Sequence, residues 1–236
     1  MKVRLAVAGH LADVAGMIER HHKMFRRFAL VMACWLAASA SLVAAEAERK
    51  TVVILGDSIA AGYGVEAAES FPDLLQKRIV EKNLPWEIVN AGVSGDTTAG
   101  GVRRMPWLLK RRVDVLVIEL GGNDGLRGLA PEQTRANLEK IIALAREKYS
   151  DVKIILAGMQ MPPSMGADYT KKFSALFADV AKDKQTALIP FVLEGVGGKA
   201  EFNQPDRIHP NSEGHKIVAQ NVWAVLEPVL LEKKSP

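Results

Sequence analysis

Residues 52–65 read VVILGDSIAAGYGV. Four apolar residues run straight into Gly-Asp-Ser, followed by small residues and two more glycines. A short apolar run bounded by turn residues is a buried strand. The serine at its end has two readings. It can cap the next helix, the commoner fate of such a residue. It can also stand open for chemistry, with its backbone N–H free to point at an anion.

Working outward, β-like runs alternate with amphipathic stretches. TVVILG (51–56) is the first strand. FPDLLQKRIVEK (71–82) reads as a helix with Ser70 as its cap and Pro72 in its first turn. WEIVNAG (86–92) is a strand, and the segment around 98–111 reads as helix. VDVLVIELGG (113–122) is the longest buried strand expected. APEQTRANLEKIIALAREKY (130–149) is a helix, VKIILAGMQ (152–160) a strand and YTKKFSALFADVAKDK (169–184) a helix. ALIPFV (187–192) is a short strand, and SEGHKIVAQNVWAVLEPVLL (212–231) closes the chain as a helix. Repeated βα units predict an α/β protein with a mostly parallel sheet covered on both faces, a three-layer αβα sandwich.

The first 45 residues differ. From Met24 the chain reads MFRRFALVMACWLAASASLVAAEA: two arginines, an apolar run, then small residues. These are the parts of a secretory signal. The expected start is Met24, with residues 1–23 an upstream extension and cleavage after Ala45 or Ala47. The apolar run is short for a membrane anchor, which needs about 20 residues. A periplasmic or secreted protein follows, with one domain over residues 46–236 and no stable membrane span. Six of the 31 Lys/Arg and two of the 27 Asp/Glu lie in residues 1–45, so the remainder carries 25 of each sign. The basic balance therefore belongs to the leader, and no nucleic-acid surface is expected. Cys34, the one cysteine, also lies in the leader, so the mature chain has no disulfide and no thiol nucleophile. A lipoprotein reading of VMAC is weak, because too little apolar sequence precedes the cysteine.

In open parallel sheets the working residues gather at the carboxyl ends of the strands. Three glycine-rich motifs fall there: GDS after the first strand, NAGVSGDTT after the second and GGNDG after the third. A serine nucleophile needs a base. His10, His21 and His22 lie in or before the leader, and His215 is expected exposed on the last helix. His209 stands in QPDRIHPNSEG, three residues after Asp206. That spacing lets a carboxylate orient one ring nitrogen while the other faces outward. Taken alone, the segment is equally an Asp-turn with a surface histidine. The Gly95 N–H and the Asn123 side-chain amide are candidate oxyanion donors, Gly95 because a side chain there would crowd the substrate. An αL turn glycine and a loop-bonded asparagine are the structural alternatives.

With these blocks in place, the chain resembles the SGNH (GDSL-type) hydrolases. GDS with Ser58, Gly95 in NAGVSGDTT, Asn123 in LGGND, and DRIHPN with Asp206 and His209 match that family's four blocks in order and spacing, over about residues 50–230. ILGDSIAAGYG, SGDTTAGG and ELGGNDGLRG look like its bacterial secreted arylesterase group, which includes thioesterase I/lysophospholipase. The resemblance implies a flavodoxin-like fold and a serine esterase without metal or cofactor. It implies Ser58 as nucleophile, His209 as base and Asp206 as its orienter, with Ser58, Gly95 and Asn123 lining the oxyanion hole. Implied substrates are aryl or acyl esters, acyl thioesters and lysophospholipids. Ile59 stands where the family name has Leu, and Arg207 is a bulky charge inside the D-x-x-H turn, expected to point outward at the rim. The G-x-S-x-G elbow of larger α/β hydrolases is absent around Ser58.

Asp57 and Asp96 are expected to bond loop amides. Metal has little support, because no second histidine accompanies His209. Arg103, Arg104, Arg111 and Arg112 read as a solvated basic face on a helix. The loop GMQMPPSMGADY (158–169) carries Met159, Met161 and Met165, either an apolar wall for an acyl chain or core filler. The alternative to an enzyme is a module that holds a phosphate or other anion on its glycine-rich loops. An oriented Asp206/His209 pair argues against it. Oligomeric state is left open.

Overall fold

The structure, a computed structural model, describes Met32 and residues 49–232. Apart from Met32, the expected signal and its cleavage site lie outside the described residues. Five strands are present: β1 (Lys50–Gly56), β2 (Trp86–Gly92), β3 (Val115–Glu119), β4 (Lys153–Ala157) and β5 (Ala187–Ile189). They form one parallel sheet in the order β2-β1-β3-β4-β5. Seven α-helices occur among the described residues: α1 (Ser58–Ala61), α2 (Phe71–Glu81), α3 (Thr98–Leu108), α4 (Gly122–Leu126), α5 (Pro131–Lys148), α6 (Ala167–Lys184) and α7 (Ser212–Leu231).

The apolar runs place the core. Residues 52–56 of β1 and all of β3 are buried, as a sheet covered on both faces requires. Contacts join α2 to α7 on one hand, and α3 to α5 and α5 to α6 on the other. These two groups are the outer layers.

Contrary to the expectation from its apolar sequence, strand β3 is not the longest. It has five residues against seven in β1 and β2. Val113 and Leu120 are fully buried beyond its ends, but the ladder to β4 runs only from Val115 to Ile118. Gly121 (φ 119°) then turns the chain into α4. Apolar character reports burial, whereas strand length is set by where a partner backbone lies.

The chain runs from β1 to β2 on one side and then crosses to β3 on the other. This reversal opens a crevice at the carboxyl ends of β1 and β3, the usual place for a ligand in such sheets. Two short helices not visible in the sequence start there. In α1, the Asp57 side chain accepts from the Ile59 N–H at 3.0 Å, and Gly62 (φ 72°) closes the turn. A Cβ on Gly92 would come within 2.3 Å of the Ala61 nitrogen, so only glycine at the tip of β2 lets α1 lie this close. Ser70 takes the N-cap position of α2, but its hydroxyl meets the Ala67 carbonyl and the Asp73 carboxylate rather than a helix N–H.

Candidate active site

Ser58 opens α1 directly after the capping Asp57. Its Oγ lies 2.9 Å from His209 Nε2, across 151 residues of sequence. The other ring nitrogen, Nδ1, is 2.7 Å from Asp206 Oδ2. Asp206 Oδ1 accepts from the backbone N–H groups of Ile208 (2.9 Å) and His209 (3.0 Å). The His209 backbone N–H foremost, with the His209 ring and the Ile208 N–H, draws the Asp206 carboxyl down to about 2 against the opposing effect of burial. The carboxylate is thus ionised at neutral pH and accepts the proton of Nδ1. That leaves Nε2 as a lone pair facing the hydroxyl, so the arrangement can take the serine proton.

The loop that carries His209 is held by a residue the motifs do not advertise. Gln204 donates its amide to the Tyr63 carbonyl (2.6 Å) and the Pro210 carbonyl (3.1 Å). Its backbone N–H meets the His209 carbonyl, and its own carbonyl accepts from Arg207. It therefore ties the histidine turn to the loop after α1. The Tyr63 ring, with its centroid 4.7 Å from that of His209, covers one face of the imidazole.

Gly95 lies in the β2–α3 loop at φ 79°, within a turn closed by the Asp96 N–H to the Val93 carbonyl. A Cβ there would meet nothing nearer than the Arg127 guanidinium at 3.9 Å. The turn's left-handed backbone by itself calls for glycine. The loop is docked beside the serine turn through the Val93 N–H to the Gly56 carbonyl. Asn123, half-buried in α4, donates one amide N–H to Asp57 Oδ2 at 3.1 Å, which leaves its second N–H for another acceptor. Among the described residues the Ser58 and Gly95 backbone N–H groups have no acceptor.

Beneath α1 lie two buried acids. Asp57 Oδ1 and Oδ2 hold Ile59 and Asn123, as the loop-amide reading expects. Burial pushes its carboxyl up to about 6 against these hydrogen bonds. Glu119, the last residue of β3, is fully buried; its Oε2 accepts from the Asp57 N–H and its Oε1 has no partner. Burial, and then the adjacent Asp57 charge, push it well above the usual carboxyl range. Its pKa is raised on folding, so its contribution to stability is full below the unfolded value of 4.5 and is lost as pH rises toward the folded value. The stability of the wild type should therefore carry a falling component of about 1.4 kcal/mol per pH unit above that point, absent in Glu119→Gln. Urea unfolding of both proteins at pH 5, 6 and 7 checks this. Parallel curves would mean that Glu119 is ionised in the fold.

Two expectations are corrected. His215 is not exposed: it is 1 % accessible, accepts from the Phe71 N–H at Nδ1, and is driven down to about 4 by burial. Packing of α2 against α7 closes over it. The arginines do not form one solvated helix face. Arg104 is half-buried and bonds Asp96 and the Ala91 and Gly56 carbonyls, so it ties the ends of β1 and β2 to the Gly95 loop. Arg111 and Arg112 lie beyond α3, and Arg112 pairs with Asp114 and Asp151. Asp96 binds the Thr97 N–H besides Arg104.

A cavity of about 720 Å³ opens over Ser58. Ser58, Asn123, Asp206 and His209 border it, and Met159, Met161, Pro162, Phe191, Leu193 and Ile208 give it apolar walls. Gly95 and Met165 are not among its lining residues; Met159 and Met161 are themselves buried core residues that reach the cavity, and Met165 packs partly buried against the same core. Among the described residues no helix is long and apolar enough to cross a membrane, and no cluster of His, Cys, Asp and Glu could hold a metal.

A serine hydrogen-bonded to an oriented histidine, at the mouth of an apolar cavity on a parallel αβα sheet, defines a serine ester hydrolase. The chain belongs to the GDSL-like lipase/acylhydrolase family, whose sequence pattern matches residues 54–217. It is 43% identical over 190 residues to esterase TesA of Pseudomonas aeruginosa, covering 80% of this chain and 94% of that one. It is 38% identical over 181 residues to thioesterase 1/protease 1/lysophospholipase L1 of Escherichia coli, covering 76% and 85%. The crystal structure of TesA superposes with a TM-score of 0.74 at 44% identity, over 77% of this chain and all of that one. These are SGNH-type hydrolases, as the sequence blocks suggest. Nothing in the comparisons favours a passive anion-binding module.

Proposed function

We propose that the chain hydrolyses small acyl and aryl esters through an acyl-serine formed on Ser58. One observation carries the reading: His209 bridges Ser58 Oγ and Asp206 Oδ2 at 2.9 and 2.7 Å. Ser58 Oγ attacks the acyl carbon as His209 Nε2 takes its proton. The developing oxyanion is met by the Ser58 and Gly95 N–H groups and the second Asn123 N–H. His209 passes the proton to the departing oxygen or sulfur. A water, deprotonated by the same nitrogen, then releases the acid and restores the serine. Each oxyanion donor contributes about 3 kcal/mol to the transition state.

The apolar cavity walls suit an acyl chain, and with the names of the relatives they extend the proposed substrates to acyl thioesters and lysophospholipids. Met159 and Met161 are the methionines placed to touch the chain. Hydrolysis of p-nitrophenyl esters from acetate to palmitate tests this. Met161→Ala should lower kcat/KM for octanoate and longer chains by about tenfold, roughly 1.4 kcal/mol for lost apolar contact, and leave acetate unchanged. Equal losses along the series would exclude the cavity as the acyl site. The domain proposed is residues 46–236, with residues 24–45 an export signal that directs it to the periplasm or beyond. That reading rests on the sequence pattern, and N-terminal sequencing of the exported protein tests it.

A further inference from the structure

We propose that Arg207 is a specificity residue that engages substrates whose leaving group carries a phosphate. The inference rests on the Ser58/His209 reading above. Among the described residues three that are not glycine have positive φ: Asn83, Gln185 and Arg207. Asn83 and Gln185 follow the ends of α2 and α6, where a left-handed residue commonly stops a helix. Arg207 (φ 60°) stops no helix. It stands in the tight turn between Asp206 and His209, with its N–H on the Gln204 carbonyl. Glycine would adopt this backbone freely, whereas a side chain there costs about 1 kcal/mol or more. Strain of this kind persists where the side chain has a use.

The surroundings of Arg207 indicate that use. It borders the cavity with Ser58 and His209 and is exposed. Among the described residues it has no carboxylate partner. The nearest acid in sequence, Asp206, is taken up by the His209 ring and by the backbone N–H groups of Ile208 and His209. Asp57, the other cavity acid, is buried and bound to Ile59 and Asn123. Among the described residues Arg207 is thus the one permanent cation lining the cavity, and no carboxylate pairs with it. The leaving atom must depart against His209 Nε2, which supplies its proton. On this proposal Arg207, two residues earlier on the same turn, takes the leaving-group side, while Met159, Met161, Pro162, Phe191 and Leu193 take the acyl side. A guanidinium binds phosphate oxygens through paired N–H groups, and in an exposed position that attraction falls with salt.

The test compares octanoyl glycerol with octanoyl glycerol 3-phosphate, which share acyl chain and ester and differ by the phosphate. Arg207→Gly keeps the turn, because glycine accepts its backbone, and Arg207→Lys keeps the charge. In Arg207→Gly the KM for the phosphate ester should rise about tenfold at low ionic strength, and that for octanoyl glycerol should hold. Arg207→Lys should retain most of the discrimination, and 0.5 M salt should remove it in the wild type. Octanoyl coenzyme A separates the sources of phosphate. A matching loss there assigns Arg207 to phosphorylated leaving groups in general, and a loss confined to the glycerol phosphate assigns it to a phosphate near the ester. Equal changes with the neutral and anionic esters, or no change with either, would overturn the proposal. Ser58→Ala is the control for the site itself: turnover surviving in that variant would overturn the catalytic reading and this one with it.

Discussion

Ser58→Ala is expected to lower kcat roughly 10⁶-fold, His209→Ala to do the same, and the double variant to lose no more than either alone. The two side chains take part in one proton transfer, with Oγ and Nε2 2.9 Å apart. Removing either leaves the other without a role. Activity that survives comes from oxyanion donors and binding, which neither change touches. The fold should be unaffected. Asp57, not Ser58, caps α1, and alanine fits where Ser58 is 8 % exposed. Ester turnover under saturating substrate, with urea unfolding as the control for structure, gives the answer. Retention of a tenth of wild-type activity in either single variant would exclude the acyl-serine route, and additive losses would mean that the two act in separate steps.

Asp206→Asn should cost about 10⁴-fold in kcat although it changes one atom. The Asp206 carboxylate accepts from Nδ1–H and so leaves Nε2 unprotonated toward Ser58. An asparagine amide can donate to Nδ1 and favours the tautomer with the proton on Nε2, which cannot act as base. The three hydrogen bonds to Asp206 hold its carboxyl at about 2. Its pKa is lowered on folding, so this support is present above the unfolded value of 3.8 and is lost only as pH falls through about 2. Any loss of activity in mild acid must then arise elsewhere. Steady-state kinetics of the variant at neutral pH is the check, and a loss below tenfold would mean that Asp206 does not set the tautomer.

Much of this protein was legible before its structure. The βα alternation, the strand at Trp86–Gly92 and the helix at Ser212–Leu231 follow from periodicity, caps and turn residues, and the structure places both at the expected residues. The site residues were legible as motifs because catalysis needs particular side chains at strand ends. Their meeting was not: Ser58 and His209 are brought together only when α7, which follows His209, packs against the sheet and α2. The cavity separates Met159 and Met161 from Met165, although the three stand in one loop and look alike in sequence.

By itself, the sequence determined the order of strands and helices, the chemistry available at their ends and the absence of a thiol after Cys34. These depend on local backbone preference and residue type. Only the tertiary structure decided that His215 is buried and neutral and that Arg104 binds strand ends. It alone showed Glu119 as a buried acid with a raised pKa beneath the serine, Gln204 clamping the histidine loop and Arg207 in a strained turn facing the cavity. The physical reason is common to all five. What a polar side chain does is set by the water it loses and the partners it gains, and both are supplied by elements distant in sequence.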